Sequence, residues 1–144
     1  MRAVLWFRVV AIILLLFAVG HTYGFLAFRP PTAEGRAVWD AMNNVHFSVG
    51  RSTFSYGGFY KGFGLSISAF QLFSAWLAWT LGSMARRGIP EARAIAWGLF
   101  FLQVVGLVLS LRYFAIVPAV LSAIAALCIF QAVRSIRGPS LASE

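Results

Sequence analysis

Residues Val4–Phe28 have the sequence VLWFRVVAIILLLFAVGHTYGFLAF, an almost unbroken apolar run in which Arg8 is the only residue with a full charge. Three further apolar runs follow it, at Phe63–Met84, Ala94–Leu111 and Ile116–Val133. A run of about 18 or more apolar residues is long enough to cross the ~30 Å hydrocarbon core of a bilayer as a helix. We therefore expect an integral membrane protein with four transmembrane helices.

The composition supports a membrane protein and argues against several functions. Hydrophobic residues make up 60% of the 144 residues and charged residues 11%, against roughly half and a quarter in soluble domains. The net charge is +8, but the basic residues are spread over helix ends and loops, so we expect no nucleic-acid partner. Cys128 is the single cysteine, and the known phosphate-loop, zinc-protease and serine-hydrolase motifs are absent. We therefore expect no metal and no cofactor.

The predicted fold is an all-α, integral membrane four-helix bundle with up-down topology, formed by one transmembrane domain over residues 1–144. An outer, extracytoplasmic loop at about residues 29–59 joins the first two helices. Within it, apolar residues at near-helical spacing predict a short amphipathic helix over Ala33–Val49. The first segment also has features of a signal peptide, but its apolar character continues to Phe28, so we expect a retained helix. The transmembrane helices are expected at about residues 4–28, 60–85, 91–112 and 116–136.

The arginines predict the orientation. In an up-down bundle of four helices the two termini and the connection between the second and third helices lie on one side. Seven of the twelve basic residues are expected on that side: Arg2, Arg8, Arg86, Arg87, Arg93, Arg134 and Arg137. Three of them fall in the short connection Met84–Ala94, where the positive-inside rule is most dependable. We therefore expect a multi-pass protein of a bacterial inner membrane with both termini in the cytoplasm.

Two glutamines are predicted near the middle of the membrane. Gln71 is about 16 Å along the second helix from its outer end, and Gln103 is about 13 Å along the third helix from its outer end. A polar side chain in hydrocarbon needs a partner within the protein. One interpretation is a hydrogen bond between the two helices, and the other is a small pocket in which both glutamines orient a ligand.

Further polar residues are predicted to meet at the outer end of the bundle. His21 lies about 10 Å along the first helix from its outer end. It is between two glycines, which allow another helix to approach closely. The remaining candidates for a ligand-binding site there are Tyr23, Arg51, Tyr60, Lys61 and Arg112. Such a set suits an anionic or carbonyl-bearing amphiphile, with cations and tyrosine at its polar end. In the alternative interpretation the cations only reach lipid phosphates, and the histidine bonds a backbone carbonyl.

These residues support two hypotheses of function. The first is a non-catalytic membrane module that binds membrane lipid, a lipid-like ligand or a protein partner. Glycine pairs in the first two helices and the alanines of the fourth also make a homo-oligomer or a membrane protein partner plausible. The alternative is a small membrane enzyme acting on an isoprenoid, quinone or sterol-like substrate, with His21 as the proton-transfer group.

Two short motifs carry a resemblance that covers most of the chain. Gly20–Gly24 has the sequence GHTYG, and Arg51–Ser52 is followed by FYKGFG at Phe59–Gly64. The pair resembles a family of small uncharacterised bacterial four-helix membrane proteins with GHTxG and RS…FYxGFG elements. That resemblance implies the four-helix architecture and points to the same outer residues, and it implies no particular reaction.

Overall fold

The structure is a computed structural model that describes residues 1–136. In chain order its elements are α1 (Arg2–Ala27), α2 (Ala33–Asn44), β1 (His46–Val49), β2 (Ser52–Ser55), α3 (Tyr56–Arg86), α4 (Glu91–Tyr113) and α5 (Ile116–Ser135). The predicted all-α class with four long apolar helices is confirmed. α1, α3, α4 and α5 are each long and apolar enough to cross a bilayer, which indicates a helical membrane protein. Arg137 and the C-terminal end of the chain, both assigned to the cytoplasm above, lie outside the described residues.

The ends of α3 follow from local hydrogen bonds. The helix begins at Tyr56, about four residues before the predicted start, because the Ser55 side chain accepts a hydrogen bond from the Gly58 backbone N–H at 3.0 Å. A serine in this position satisfies one of the free N–H groups of a first helical turn. At the other end Gly88 has a φ of +70°, and the Ile89 N–H donates to the Met84 carbonyl at 3.1 Å. Gly88 therefore caps the C-terminal end of α3.

The chain divides into two compact units. We call residues 1–17 and 71–136 the bundle unit, and residues 18–70 the loop unit. The bundle unit contains the first part of α1, the second part of α3, and all of α4 and α5. The loop unit contains the end of α1, α2, both strands and the first part of α3.

Small residues alternate with large ones in the core of the bundle unit. Its fully buried large side chains include Phe7, Leu14, Leu81 and Ile129. The alanines packed among them are Ala11, Ala75, Ala78, Ala92, Ala96, Ala125 and Ala132. Small side chains let helices approach closely, which is the main source of helix association where no hydrophobic effect operates between apolar surfaces. Of the alanines in α5 that suggested self-association, Ala119 and Ala126 are buried in this core and are not available to a second chain.

The outside of the bundle unit is as apolar as its core. Leu5, Trp76, Phe101, Val108 and Leu127 are each at least 59% exposed. Apolar side chains at this density on the surface of a soluble protein would form a large sticky patch. On transmembrane helices they are the surface that contacts lipid, so the exposure pattern agrees with the apolar length of the helices.

The helix predicted in the outer loop is shorter in the structure than the sequence suggests. α2 begins after Thr32, whose side chain accepts a hydrogen bond from the Gly35 N–H at 3.0 Å, but it ends at Asn44 and not at Val49. The residues that follow form an antiparallel hairpin in which β1 pairs with β2. Gly50, with a φ of +60°, lies in its two-residue turn. Asparagines are weak helix formers, and a glycine with positive φ favours a tight hairpin, so turn chemistry prevails here over the helical spacing.

Candidate functional site

A chain of hydrogen bonds joins α1 to α3 inside the loop unit. The His21 Nδ1 lies 3.0 Å from the Ser68 Oγ, and the Thr22 Oγ1 lies 2.8 Å from the same oxygen. Thr22 also donates to the Ala18 carbonyl at 2.7 Å. Ser68 is 6% exposed, so these contacts are made away from the surrounding medium.

The Thr22 hydroxyl has a single proton, and both the Ala18 carbonyl and the Ser68 oxygen are placed to accept it. Between Ser68 and the Nδ1 of His21, either group can donate, according to the tautomer of the ring. The hydrogen-bond network therefore holds the His21 ring against Ser68 of α3.

Aromatic rings extend from this histidine toward the end of α1. The Phe25 ring stacks on His21 at a centroid distance of 5.8 Å and lies 5.3 Å from the ring of Tyr60. Phe25 packs directly over Gly64, where a Cβ atom would collide with the ring. Tyr60, Gly64 and Ser68 are spaced four residues apart and share one face of α3, so this face receives the end of α1.

A pocket of about 350 Å³ opens beyond these rings, lined by Phe25, Leu26, Arg29, Trp39 and Lys61. Trp39 reaches it from α2, with its ring 6.0 Å from that of Tyr60. The Arg29 Nη1 donates to the carbonyls of Leu26 at 3.2 Å and Phe28 at 2.8 Å, which holds the guanidinium at the end of α1. The pocket thus combines two cations with aromatic and aliphatic walls.

Neither cation is neutralised by the chain. Within residues 1–136, no carboxylate forms an ion pair with Arg29 or Lys61, and Lys61 makes no hydrogen bond. Two unpaired positive charges beside an apolar wall favour a ligand with an anionic end and a hydrocarbon body. A second, apolar groove of about 320 Å³ is lined by residues of β2 and α3, none of them charged: Phe54, Gly58, Phe59, Gly62, Phe63 and Ser66.

The remaining predicted residues are placed elsewhere. Tyr23 is 76% exposed, and Arg51 lies in the hairpin turn, so neither lines the pocket. Gln71, Gln103 and Arg112 belong to the bundle unit. The Gln71 Oε1 is buried and accepts no hydrogen bond from residues 1–136, while the whole Gln103 residue is 2% exposed.

Six residues that line the pocket or bond to the His21–Ser68 pair were not among the predicted ligand-binding residues: Thr22, Phe25, Leu26, Arg29, Trp39 and Ser68. A signal for Ser68 is present, because it continues the four-residue spacing of Tyr60 and Gly64 on α3. Arg29 and Trp39 had no such signal. Their approach to Lys61 depends on how α2 folds back, which no periodicity reports. Within the described residues, no group of three His, Cys, Asp or Glu side chains is placed to hold a metal ion.

No known protein family, no curated protein and no solved structure matches this chain. The geometry of the loop unit therefore carries the functional argument by itself.

Proposed function

We propose that this chain is a small, non-catalytic membrane protein whose loop unit binds the polar end of an anionic, lipid-like ligand. The observation that carries the proposal is the pocket of Phe25, Leu26, Arg29, Trp39 and Lys61, in which two cations lie beside an apolar wall and have no carboxylate partner among residues 1–136. A phosphate, carboxylate or enolate group would accept hydrogen bonds from Arg29 and Lys61. Its hydrocarbon part would pack against the rings and continue along the apolar surface of the helices.

The proposed setting is a bacterial inner membrane. The four long helices would cross it in up-down order, with both termini in the cytoplasm and the loop unit at the outer face. The support is three arginines at the connection between α3 and α4: Arg86 ends α3, Arg87 follows it, and Arg93 lies in the first turn of α4. Short connections with arginines at their ends stay in the cytoplasm. The amphipathic α2 would then lie along the outer surface. A homo-oligomer or another membrane protein stays a proposal for the exposed helix faces.

The test compares Lys61→Gln with Arg51→Gln. Both changes remove one positive charge from an exposed side chain of the loop unit, but only Lys61 lines the pocket. The proteins are purified gently from native membranes and examined by native mass spectrometry with lipid analysis. We expect one bound amphiphile in the wild type and in Arg51→Gln, and a loss of about tenfold in Lys61→Gln, as for one charge-assisted hydrogen bond.

Two outcomes would contradict the proposal. Equal occupancy in both variants would show that Lys61 does not hold the ligand. The absence of any retained small molecule, together with a protein partner or a homo-oligomer, would direct attention to the exposed helix faces.

A second candidate function rests on the hydrogen-bond chain of His21. By holding the imidazole ring in place, Ser68 would orient His21 to exchange a proton with an isoprenoid, quinone or sterol-like substrate. Protein purified in the same way distinguishes a binding protein from an enzyme. A binding protein retains the same compound in the wild type and in His21→Gln. For an enzyme, the wild type is expected to convert that compound in the membrane extract, and His21→Gln is expected to reduce the rate at least about a hundredfold.

A further inference from the structure

A further cation without an ion-pair partner among residues 1–136 belongs to the bundle unit. Arg8 is in α1 and is half-buried. Its guanidinium carbon lies 3.1 Å from the ring centroid of Trp79 in α3, so the positive charge is directly over the face of the indole. The Nη1 of Arg8 is buried and has no hydrogen-bond partner among residues 1–136.

The buried Nη1 of the Arg8 guanidinium therefore lacks the hydrogen-bond acceptor that a buried arginine normally has. Arginine stays charged in any protein environment and has five N–H donors. Burying a charged donor without an acceptor is costly. The described part of the bundle unit has one acidic residue, Glu91, and no ion pair forms between it and Arg8. The indole offers a favourable surface to the cation, but it accepts none of the N–H bonds in the guanidinium plane.

The contact with the Trp79 ring also orients the Arg8 guanidinium for binding a phosphate. A guanidinium whose face is covered by a ring keeps its edge for two parallel hydrogen bonds, the geometry that matches a phosphate. Gly82 of α3 lies close to the same part of α1, since a Cβ there would be 3.3 Å from the Phe7 Cβ and in ordinary contact with the Arg8 Nε at 3.9 Å. Arg86 lies one helical turn after Gly82 in α3. Further arginines near the ends of α1, α3 and α4 add positive charge: Arg2, Arg87 and Arg93.

We propose that Arg8 and Trp79 form a binding site for a phosphate group, supplied either by the headgroup of an anionic membrane lipid or by free phosphate. The guanidinium edge of Arg8 donates to the phosphate oxygens, and Trp79 holds the guanidinium in place. The surrounding arginines raise the local concentration of anions. This site is independent of the loop-unit pocket and does not depend on the ligand proposed there.

The decisive comparison is Arg8→Gln with Arg2→Gln. Both remove one charge from the same part of α1, but Arg2 is exposed and has no contact with an aromatic ring. The protein in a neutral detergent is titrated with phosphatidylglycerol, and the bound lipid is counted by native mass spectrometry. We expect Arg8→Gln to weaken binding about tenfold, as for the loss of charge-assisted hydrogen bonds, and Arg2→Gln less than about twofold.

Two further measurements complete the test. Arg8→Lys keeps the charge and loses the planar fork, so we expect an intermediate loss of about threefold to fivefold; its thermal unfolding shows whether the fold is intact. Inorganic phosphate at millimolar concentration, against chloride at equal ionic strength, distinguishes the sources. Displacement of the lipid by phosphate supports a site for free phosphate, and retention supports a lipid headgroup site. Equal losses in Arg8→Gln and Arg2→Gln, or no binding of either probe to the wild type, would overturn the proposal.

Discussion

Phe7→Ala is expected to lower the free energy of unfolding by about 3 kcal/mol, the usual cost of removing a buried phenylalanine. Phe7 is 0% exposed and belongs to the core of the bundle unit. Deleting its ring leaves a cavity among closely packed helices, and lipid cannot enter to replace the lost contacts.

The matched control is Phe101→Ala. Phe101 is also in the bundle unit, but it is 61% exposed, and we expect its removal to cost less than about 1 kcal/mol because lipid chains can occupy the space. Reversible unfolding in mixed micelles of mild and denaturing detergent measures both variants. Similar costs for the two phenylalanines would show that the exposed face is covered by something other than lipid, such as a second protein.

Gly64→Val is expected to destabilise the loop unit by about 2 kcal/mol more than Gly62→Val. Both changes place the same β-branched side chain in α3, so the intrinsic effect on the helix is nearly equal. At Gly64 the new Cβ would meet the Phe25 ring, whereas nothing lies within 4 Å of the corresponding position at Gly62. To make room, Phe25 must leave His21 and Tyr60, and the pocket loses one wall.

Hydrogen exchange of backbone amides in residues 18–28 measures this effect, because it reports local opening as well as global unfolding. We expect faster exchange in Gly64→Val and near wild-type exchange in Gly62→Val. Adding Phe25→Ala to Gly64→Val removes the collision, so the double variant is expected to cost less than the sum of the two single changes. Equal exchange in the two valine variants would mean that Phe25 does not pack on Gly64.

The sequence by itself determined the four long helices and their class. Apolar length is a local property: each of the four runs can satisfy its backbone hydrogen bonds only as a helix in hydrocarbon, whatever its neighbours do. The glycine cap at Gly88 was predictable for the same reason, since it depends on one backbone conformation. Local reasoning failed at Val45–Ser55, where helical spacing was misleading and strand pairing with a glycine turn stabilises a hairpin.

The candidate site was predictable only in part. His21, Tyr60 and Lys61 were found because polar residues near apolar helices need partners, and that requirement is visible in one segment of sequence. The residues that contact them in the structure could not be predicted from the sequence. Ser68 is 47 residues from His21 along the chain, and the contact depends on which face of α3 meets α1.

Only the tertiary structure determines which groups the cations contact and which side chains pack against the small residues. In the sequence Arg8 is a single charge in an apolar run, and only packing places it over Trp79 with a buried donor. Gly64 is one glycine of the FYKGFG motif, and only the structure shows that its missing side chain admits the Phe25 ring. The physical reason is that composition and spacing specify what each helix can bury, while the choice of contacts depends on shapes from segments distant in sequence.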